Sequence, residues 1–470
     1  MRKIFFLLIA VLVIQLHLHA QGYQLTVRLK NYNSGKLFLG NYMGKNTYLT
    51  DSADVNASGE AVLKGKQPLL PGIYLIVLPG KQRYIETLID KQQVFAVSID
   101  TADLIGKTAY KNSADNDLFL EYNKFLASQE SLSSGIMEQL KAARTAEDSA
   151  KVQPLQRELG KKVQDYRNDF IAKHPSTILA TIFRAMKEPE VPKQPVGEDS
   201  TFAYRYFKAH YWDDVDLSSA RLVRTPILEG KLKKYFTQLV VNYPDSINTD
   251  CDALIARTRK DKEVFKYVLW WLTYNYESSP YMGMDAVFVH LVEKYYVPGE
   301  AYWLTDEQLN KIVSRAYALA PNLIGQQAAP LELKDTASKP VSLYKTQAKY
   351  TVLVFWDPTC GHCKTEIPRL DSAYKASWKS KGVAMIGVKT EGTHEQWLAF
   401  IKENKLSGWV HAWDPASTSN YRRLYDVYST PVIYLLDEKK KIVAKRLAVE
   451  QLQDFLEHAE TKKTASKVQK

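Results

Sequence analysis

The chain is 470 residues long, 45% hydrophobic and 24% charged, with a formal net charge of +11. At about 150 residues per domain that length is a prior for three domains, and the composition supplies enough apolar side chains for several cores, which excludes a disordered chain. Its three cysteines are too few for a disulfide scaffold, and its lysines and arginines are scattered without the interleaved aromatics and glycines of an RNA-binding motif, so no nucleic-acid partner is expected.

Residues 1–20 read as a cleavable export signal. Arg2 and Lys3 precede the apolar run Ile4–Ile14, and "LHLHA" offers Ala20 as the small residue before a cut at Gln21. The run falls short of the roughly 20 apolar residues that span a bilayer. Gln21 is not a cysteine, so no lipid anchor is expected after the cut. The expected location is the periplasm, and removal of the signal lowers the net charge to +9.

From residue 21 to about 103, short alternating segments such as "YQLTVRL", "GKLFLGNY" and "GIYLIVLPG" are separated by Gly, Asn, Asp and Pro, which predicts a β-sandwich or small barrel. Apolar residues then recur at helical spacing, first at Leu118, Leu120, Tyr122, Phe125 and Leu126, then at Leu155, Leu159, Val163, Tyr166 and Phe170. A proline- and charge-rich stretch near 187–200 reads as a linker. A second helical block follows, rich in Tyr and Trp, whose aromatics read as core, with a carbohydrate- or peptide-binding face as the alternative. Cys251 lies in it and reads as a buried small hydrophobe.

After "GQQAAP" strands and helices alternate. "LELKD" and "PVSLY" read as a hairpin, followed by strand "YTVLVFW", a helix from about Cys360, strand "VAMIGVK", helix "HEQWLAFIKEN", strand "WVHAWD", helix "NYRRLYDV", strands "VIYLLD" and "IVAKRL", and helix "EQLQDFLEHA". A βαβ unit followed by a ββα unit is the thioredoxin arrangement with an added hairpin.

Two of the three cysteines, Cys360 and Cys363, stand at the end of the strand "YTVLVFW" as Cys-Gly-His-Cys. With the third cysteine far away, a zinc site built from two such pairs is not available, and a redox pair is the better reading. A thiolate attacks disulfides, and unpaired N–H groups at a helix start favour it, so Cys360 is expected to attack and Cys363, one turn in, to resolve. Gly361 and His362 are the tuning spacer: an imidazolium beside the thiolate stabilises the reduced pair and makes it more oxidising, the alternative being that His362 is plain helix surface. Glu366, three residues past Cys363, is either a buried carboxylate exchanging protons with it or an ordinary surface glutamate. Pro368 is expected to kink the helix. Pro431 opens an apolar strand, where a proline needs a reason. A cis Thr430–Pro431 bond would let Thr430 offer its backbone to an extended substrate, and a trans turn is the alternative.

These residues carry a resemblance. The segment from about Ala329 to Ala459 resembles the TlpA/ResA-type exported thiol-disulfide oxidoreductases in its F-W-x-x-x-C-x-x-C run at Phe355–Cys363, its E-x-P at Glu366–Pro368 and its T-P at Thr430–Pro431. The resemblance implies that Cys360 is the nucleophile, that Glu366 tunes the pair and that Pro431 is cis. Trp356, Thr430 and Pro431 are taken as substrate-binding. It departs from thioredoxin itself, which has a buried aspartate where this chain has Val354 and a tryptophan where it has Thr359.

The expected fold is therefore multidomain α+β: an N-terminal β-sandwich-like domain at 21–103, a central all-helical region at 104–325, a C-terminal thioredoxin-like α/β domain at 326–460, and a Lys-rich tail at 461–470. The expected activity is thiol-disulfide exchange with protein substrates through a Cys360–Cys363 disulfide, with no cofactor and no metal. A further electron donor or acceptor protein, soluble or membrane-bound, is implied. The competing readings are a peroxidase on the same fold, which would want Ser or Thr where Asp357 stands, and a metal carrier or binding module using Cys360, His362 and Cys363.

Overall fold

The structure, a computed structural model, describes residues 22–468, so the expected export signal lies outside the described residues. The chain divides into two compact units, one running to Val241 and including Asp252–Val268, the other comprising Asn242–Cys251 and everything from Leu269 onward.

In the first unit eight strands form two four-stranded sheets: β1 (Tyr23–Lys30), β2 (Lys36–Met43), β3 (Asn46–Asp54), β4 (Glu60–Gly65), β5 (Gly72–Val77), β6 (Tyr84–Ile89), β7 (Val94–Asp100) and β8 (Ala109–Lys111). One sheet runs β4-β1-β7-β8, the other β3-β2-β5-β6. Because side chains alternate faces along a strand, Leu25, Val27 and Leu29 of β1 all turn inward and share one core with Leu37 and Leu39 of β2 and Tyr74 and Ile76 of β5. The β-rich region is thus a sandwich, and its last strand, β8, lies beyond residue 103.

The next helices of this unit are α1 (Ala114–Ser128), α2 (Glu130–Ala142), α3 (Ala146–Lys173) and α4 (Ile178–Ala185). Their contact is aromatic. The Phe125 and Tyr166 rings stack with centroids 4.2 Å apart, and Tyr122 meets Phe183 edge-on at 4.7 Å. The buried residues of α1 are Asn116, Phe119 and Tyr122, while Leu126 and Leu155, both expected on apolar faces, are exposed. Residues 187–200 carry neither helix nor strand and are mostly exposed.

The remaining helices before the C-terminal sheet are α5 (Phe202–His210), α6 (Pro226–Lys234), α7 (Pro244–Arg257), α8 (Lys262–Glu277), α9 (Asp285–Leu291) and α10 (Asp306–Leu319). Cys251 of α7 is fully buried. After β8, every regular element of the central region among the described residues is a helix, and residues 187–200 interrupt the series.

The second unit contains a seven-stranded sheet of order β10-β9-β13-β12-β11-β14-β15, from β9 (Glu332–Asp335), β10 (Pro340–Ser342), β11 (Tyr350–Trp356), β12 (Val383–Lys389), β13 (Val410–Trp413), β14 (Val432–Asp437) and β15 (Ile442–Lys445). Strands β9 and β10 pair antiparallel as the expected hairpin. Central β11 pairs parallel with β12 and antiparallel with β14. Its seven residues are all buried, because helices cover both faces and a doubly covered strand reads as a continuous apolar run. Val352, Val354 and Trp356 face a core shared with α11 (Gly361–Ala373), α12 (His394–Glu403) and α14 (Val449–Val468). Leu353 and Phe355 face the opposite core, which holds Tyr421 and Tyr425 around the short α13 (Tyr421–Leu424). Of the stretch expected as a Lys-rich tail, the described part continues α14 to Val468. Among the described residues no helix is long and apolar enough to cross a membrane.

Lys445, at the end of β15, is 6% exposed, and its ammonium is bound by Asp285 of α9 and by the Asn322 carbonyl at 2.7 Å. Burial pushes it below the ordinary lysine range, while the Asp285 carboxylate pulls the other way. A cation kept dry needs such partners, and these fasten the sheet edge to the helical segment before it.

Candidate active site

Strand β11 ends at Trp356, and the next three residues make a turn that the side chain of Asp357 holds. Its Oδ1 accepts from both the N–H and the hydroxyl of Thr359 at 2.7 Å, and its carbonyl accepts from the Cys360 N–H at 3.2 Å. The turn delivers Cys360 to the N-cap of α11 with extended backbone, φ −72° and ψ 130°, and the Cys360 carbonyl accepts from Lys364 at 3.1 Å to start the helix. The first N–H groups of a helix have no partner within it, and here those of His362 and Cys363 act on the Cys360 sulfur.

The two thiols, neither bonded in a disulfide, are pushed in opposite directions. The N–H of Cys363 is the largest cause that lowers Cys360, followed by a side-chain hydrogen bond from Thr430 and, after an opposing effect of burial, the N–H of His362. Cys363 is fully buried. Burial pushes its thiol up to about 11, against the Asp357 N–H, which donates to its sulfur at 3.5 Å. A half-buried thiol that ionises readily above a buried one that does not is the arrangement a nucleophile and its resolving partner need.

The second wall of the site comes from β14. Phe355 pairs with Val432, so Thr430 and Pro431 lie just past the end of β11, at the level of the cysteine turn. The Thr430–Pro431 peptide is cis, and the Thr430 carbonyl stands 3.6 Å from the Cys360 Sγ. A third wall follows β12. The Trp356 carbonyl accepts from the Thr390 N–H at 2.9 Å and its hydroxyl at 3.1 Å. Gly392, at φ +75°, lies so close that a Cβ there would sit 3.0 Å from Pro358 Cγ.

The other expected residues fall differently. Gly361 is the first residue of α11, and a Cβ there would meet open space. His362 is exposed, and the group it turns toward Cys360 is its N–H. Pro368 sits inside α11, which continues past it to Ala373. Glu366 is not a buried lone acid: its side chain is 25% exposed and its carboxylate accepts from Arg369 at 2.5 Å, with Arg369 also paired to Glu450. Trp356 is corrected outright. It is 0% exposed and packed against Phe400 with ring centroids 5.3 Å apart, because β11 is covered on both faces, so it builds the core beneath the site and offers no surface to a substrate.

Asp357 and Thr390, which hold the turn, were absent from the expected site. The Asp-Pro-Thr sequence carries a turn signature that points to the first, whereas Thr390 is recruited only by the parallel pairing of β11 with β12. Among the described residues no group of three or more His, Cys, Asp and Glu side chains is assembled in a way that could hold a metal.

Residues 324–445 match the AhpC/TSA family, and residues 138–320 match a domain of unknown function, DUF5106. A thiol-disulfide oxidoreductase ResA from Oceanobacillus iheyensis is 28% identical over 140 residues, which cover 28% of this chain and 71% of that protein. The sporulation thiol-disulfide oxidoreductase A of Bacillus subtilis is 30% identical over 145 residues, 28% of this chain and 86% of that protein. This chain belongs to the thiol-disulfide oxidoreductases. Among solved structures, a domain of a possible thiol-disulfide isomerase from Cytophaga hutchinsonii is 39% identical, covers 30% of this chain and 97% of that one, and has a TM-score of 0.29. The segment that matches the AhpC/TSA family carries Cys360, Cys363 and the cis Thr430–Pro431 bond.

The ring and the N–H of His362 are separable in this oxidoreductase. Replacing His362 with Pro removes both, and should make the pair more reducing by tens of millivolts, where about 30 mV corresponds to 1.4 kcal/mol. Replacing it with Ala removes only the ring. Glutathione equilibration of both variants checks this: a potential unchanged in His362→Pro contradicts the account of the spacer, and a shift confined to His362→Pro assigns it to the backbone.

Proposed function

We propose that this oxidoreductase is exported to the periplasm and exchanges disulfides with protein substrates through a mixed disulfide at Cys360. The observation that carries this reading is the inequality of the two thiols, Cys360 lowered by helix N–H groups and Cys363 raised by burial, beside a backbone carbonyl 3.6 Å away. The reading of residues 1–20 as a signal supports export. In the reductive direction the Cys360 thiolate attacks one sulfur of a substrate disulfide, forming the Cys360–substrate bond and releasing the other sulfur as a thiolate. Cys363 then gives up its proton and attacks the Cys360 sulfur. The Cys360–Cys363 disulfide forms, the second substrate sulfur leaves, and two electrons have passed to the substrate. A second thiol protein, soluble or membrane-bound, must return them.

Thr430 supports a polypeptide substrate, since its carbonyl stands beside the nucleophile and backbone groups in that place can pair with an extended chain as a strand does. Thr430 and Pro431 therefore keep their substrate-binding role in this proposal, and Trp356 does not.

The polarity of the pair is tested by trapping. Cys360→Ser should abolish insulin reduction, while Cys363→Ser expressed in an exporting host should accumulate adducts that a reductant releases, because only the second thiol frees the substrate. Adducts on Cys360→Ser, or none on Cys363→Ser in a non-reducing gel, would overturn the assignment. Cys251→Ala, a change in the helical core, serves as the control and should turn over normally.

Glu366 stays in the proposal as a proton-exchanging group on the Cys363 side of α11, starting from an ion pair with Arg369. Glu366→Gln keeps the shape and removes the exchangeable charge, so the pH dependence of exchange should move while the fold holds. Superimposable alkylation-rate profiles against pH for Glu366→Gln and wild type would reduce Glu366 to a surface partner of Arg369.

A further inference from the structure

We infer that Arg315, on helix α10 ahead of the thioredoxin-like segment, positions the substrate-binding loop of the redox site by holding Asp426. The inference rests on the thiol-disulfide reading above and adds a residue from outside the matched AhpC/TSA segment, which begins at residue 324.

The loop that presents Thr430 runs from Asp426 to Pro431 and enters β14 at Val432 and Ile433. Asp426 takes the left-handed conformation, φ +48°, and its carboxylate is 1% exposed. Two guanidinium groups hold it there: Arg315 Nη1 at 2.5 Å from Oδ1, and Arg446 on Oδ2. Arg446 also closes the other end of the loop, donating its N–H to the Ile433 carbonyl at 2.7 Å. The segment carrying the cis bond is thus tied at both ends from the β15 side and clamped once more from a helix that is no part of the sheet. The same two elements face each other again nearby, since Tyr428, two residues before Thr430, lines an open cavity with Lys311, Ser314 and Ala318 of α10.

A carboxylate kept from water is tolerable only while its partners remain. Without Arg315, Asp426 retains one guanidinium and regains stability by turning outward, and a rotation there is transmitted over four residues to Thr430. The reacting sulfur is unaffected, because it is set by the Asp357 turn and the helix start. What suffers is the grip on an extended substrate chain. Arg315 is accordingly a positioning residue, and the helical region has a place in substrate binding.

The test uses the full chain and two substrates, insulin, which presents an extended polypeptide, and a small aromatic disulfide, which needs only the sulfur. Arg315→Met keeps much of the apolar stem and should raise the KM for insulin by about tenfold with kcat preserved, and leave turnover of the small disulfide within about twofold of wild type. Arg315→Lys, which keeps the charge without the planar fork, should fall between, and it carries the measurement if Arg315→Met does not fold. A wild-type KM for insulin in the folded variant overturns the inference. So does an equal loss on both substrates, which marks a purely structural role. Failure of the wild type to reduce either substrate overturns the thiol-disulfide reading instead.

Discussion

The register of β14 against β11, Phe355 opposite Val432, is the constraint on which the rest of the site depends. It sets the cis peptide just beyond the end of β11, where the Asp357 turn delivers Cys360, and produces the 3.6 Å approach of the Cys360 sulfur to the Thr430 carbonyl. A slip of one residue would turn every side chain of β14 to the wrong face. Val432, Tyr434 and Leu436 would leave one core, and Ile433 and Leu435 the other. The apolar load on both faces of the sheet therefore fixes the geometry of the chemistry, and the site cannot loosen without unpacking two cores.

The inequality of the thiols follows from the same construction. A parallel strand that ends in a tight turn and feeds straight into a helix leaves one cysteine at the N-cap among unpaired N–H groups and places the other one turn deeper. The first is stabilised as a thiolate by the helix start, and the second is held protonated by lack of water. Oxidoreductase chemistry uses that difference directly, since a pair of equal thiols would have no preferred order of attack and resolution.

Much of this could be read from the chain. The sandwich was legible because β1 and β5 alternate or run apolar between turn residues, and the C-terminal sheet because "YTVLVFW" is an unbroken apolar run ending at a C-x-x-C pair. The cysteines and Thr430–Pro431 were legible because their residue types are costly where they stand. Trp356 was misread since nothing local distinguishes an aromatic under the site from one at its surface; only coverage of β11 on both faces decides it. Glu366 was left with two readings, and the partner that bears on them, Arg369, is an i,i+3 neighbour whose rotamer spacing does not specify. Arg315 lay beyond reach for a different reason. Its partner Asp426 is 111 residues away, and such a pair is made by tertiary packing alone.

The central claim is that Cys360 and Cys363 form a two-electron redox couple, and equilibration of the full chain against glutathione buffers, followed by mapping of the disulfide, tests it most directly. The account predicts a single Cys360–Cys363 disulfide titrating as a two-electron couple, with a midpoint between about −270 and −180 mV, the span from thioredoxin to protein disulfide isomerase. A pair that stays reduced across the buffer series, or a disulfide that maps to Cys251, would contradict it.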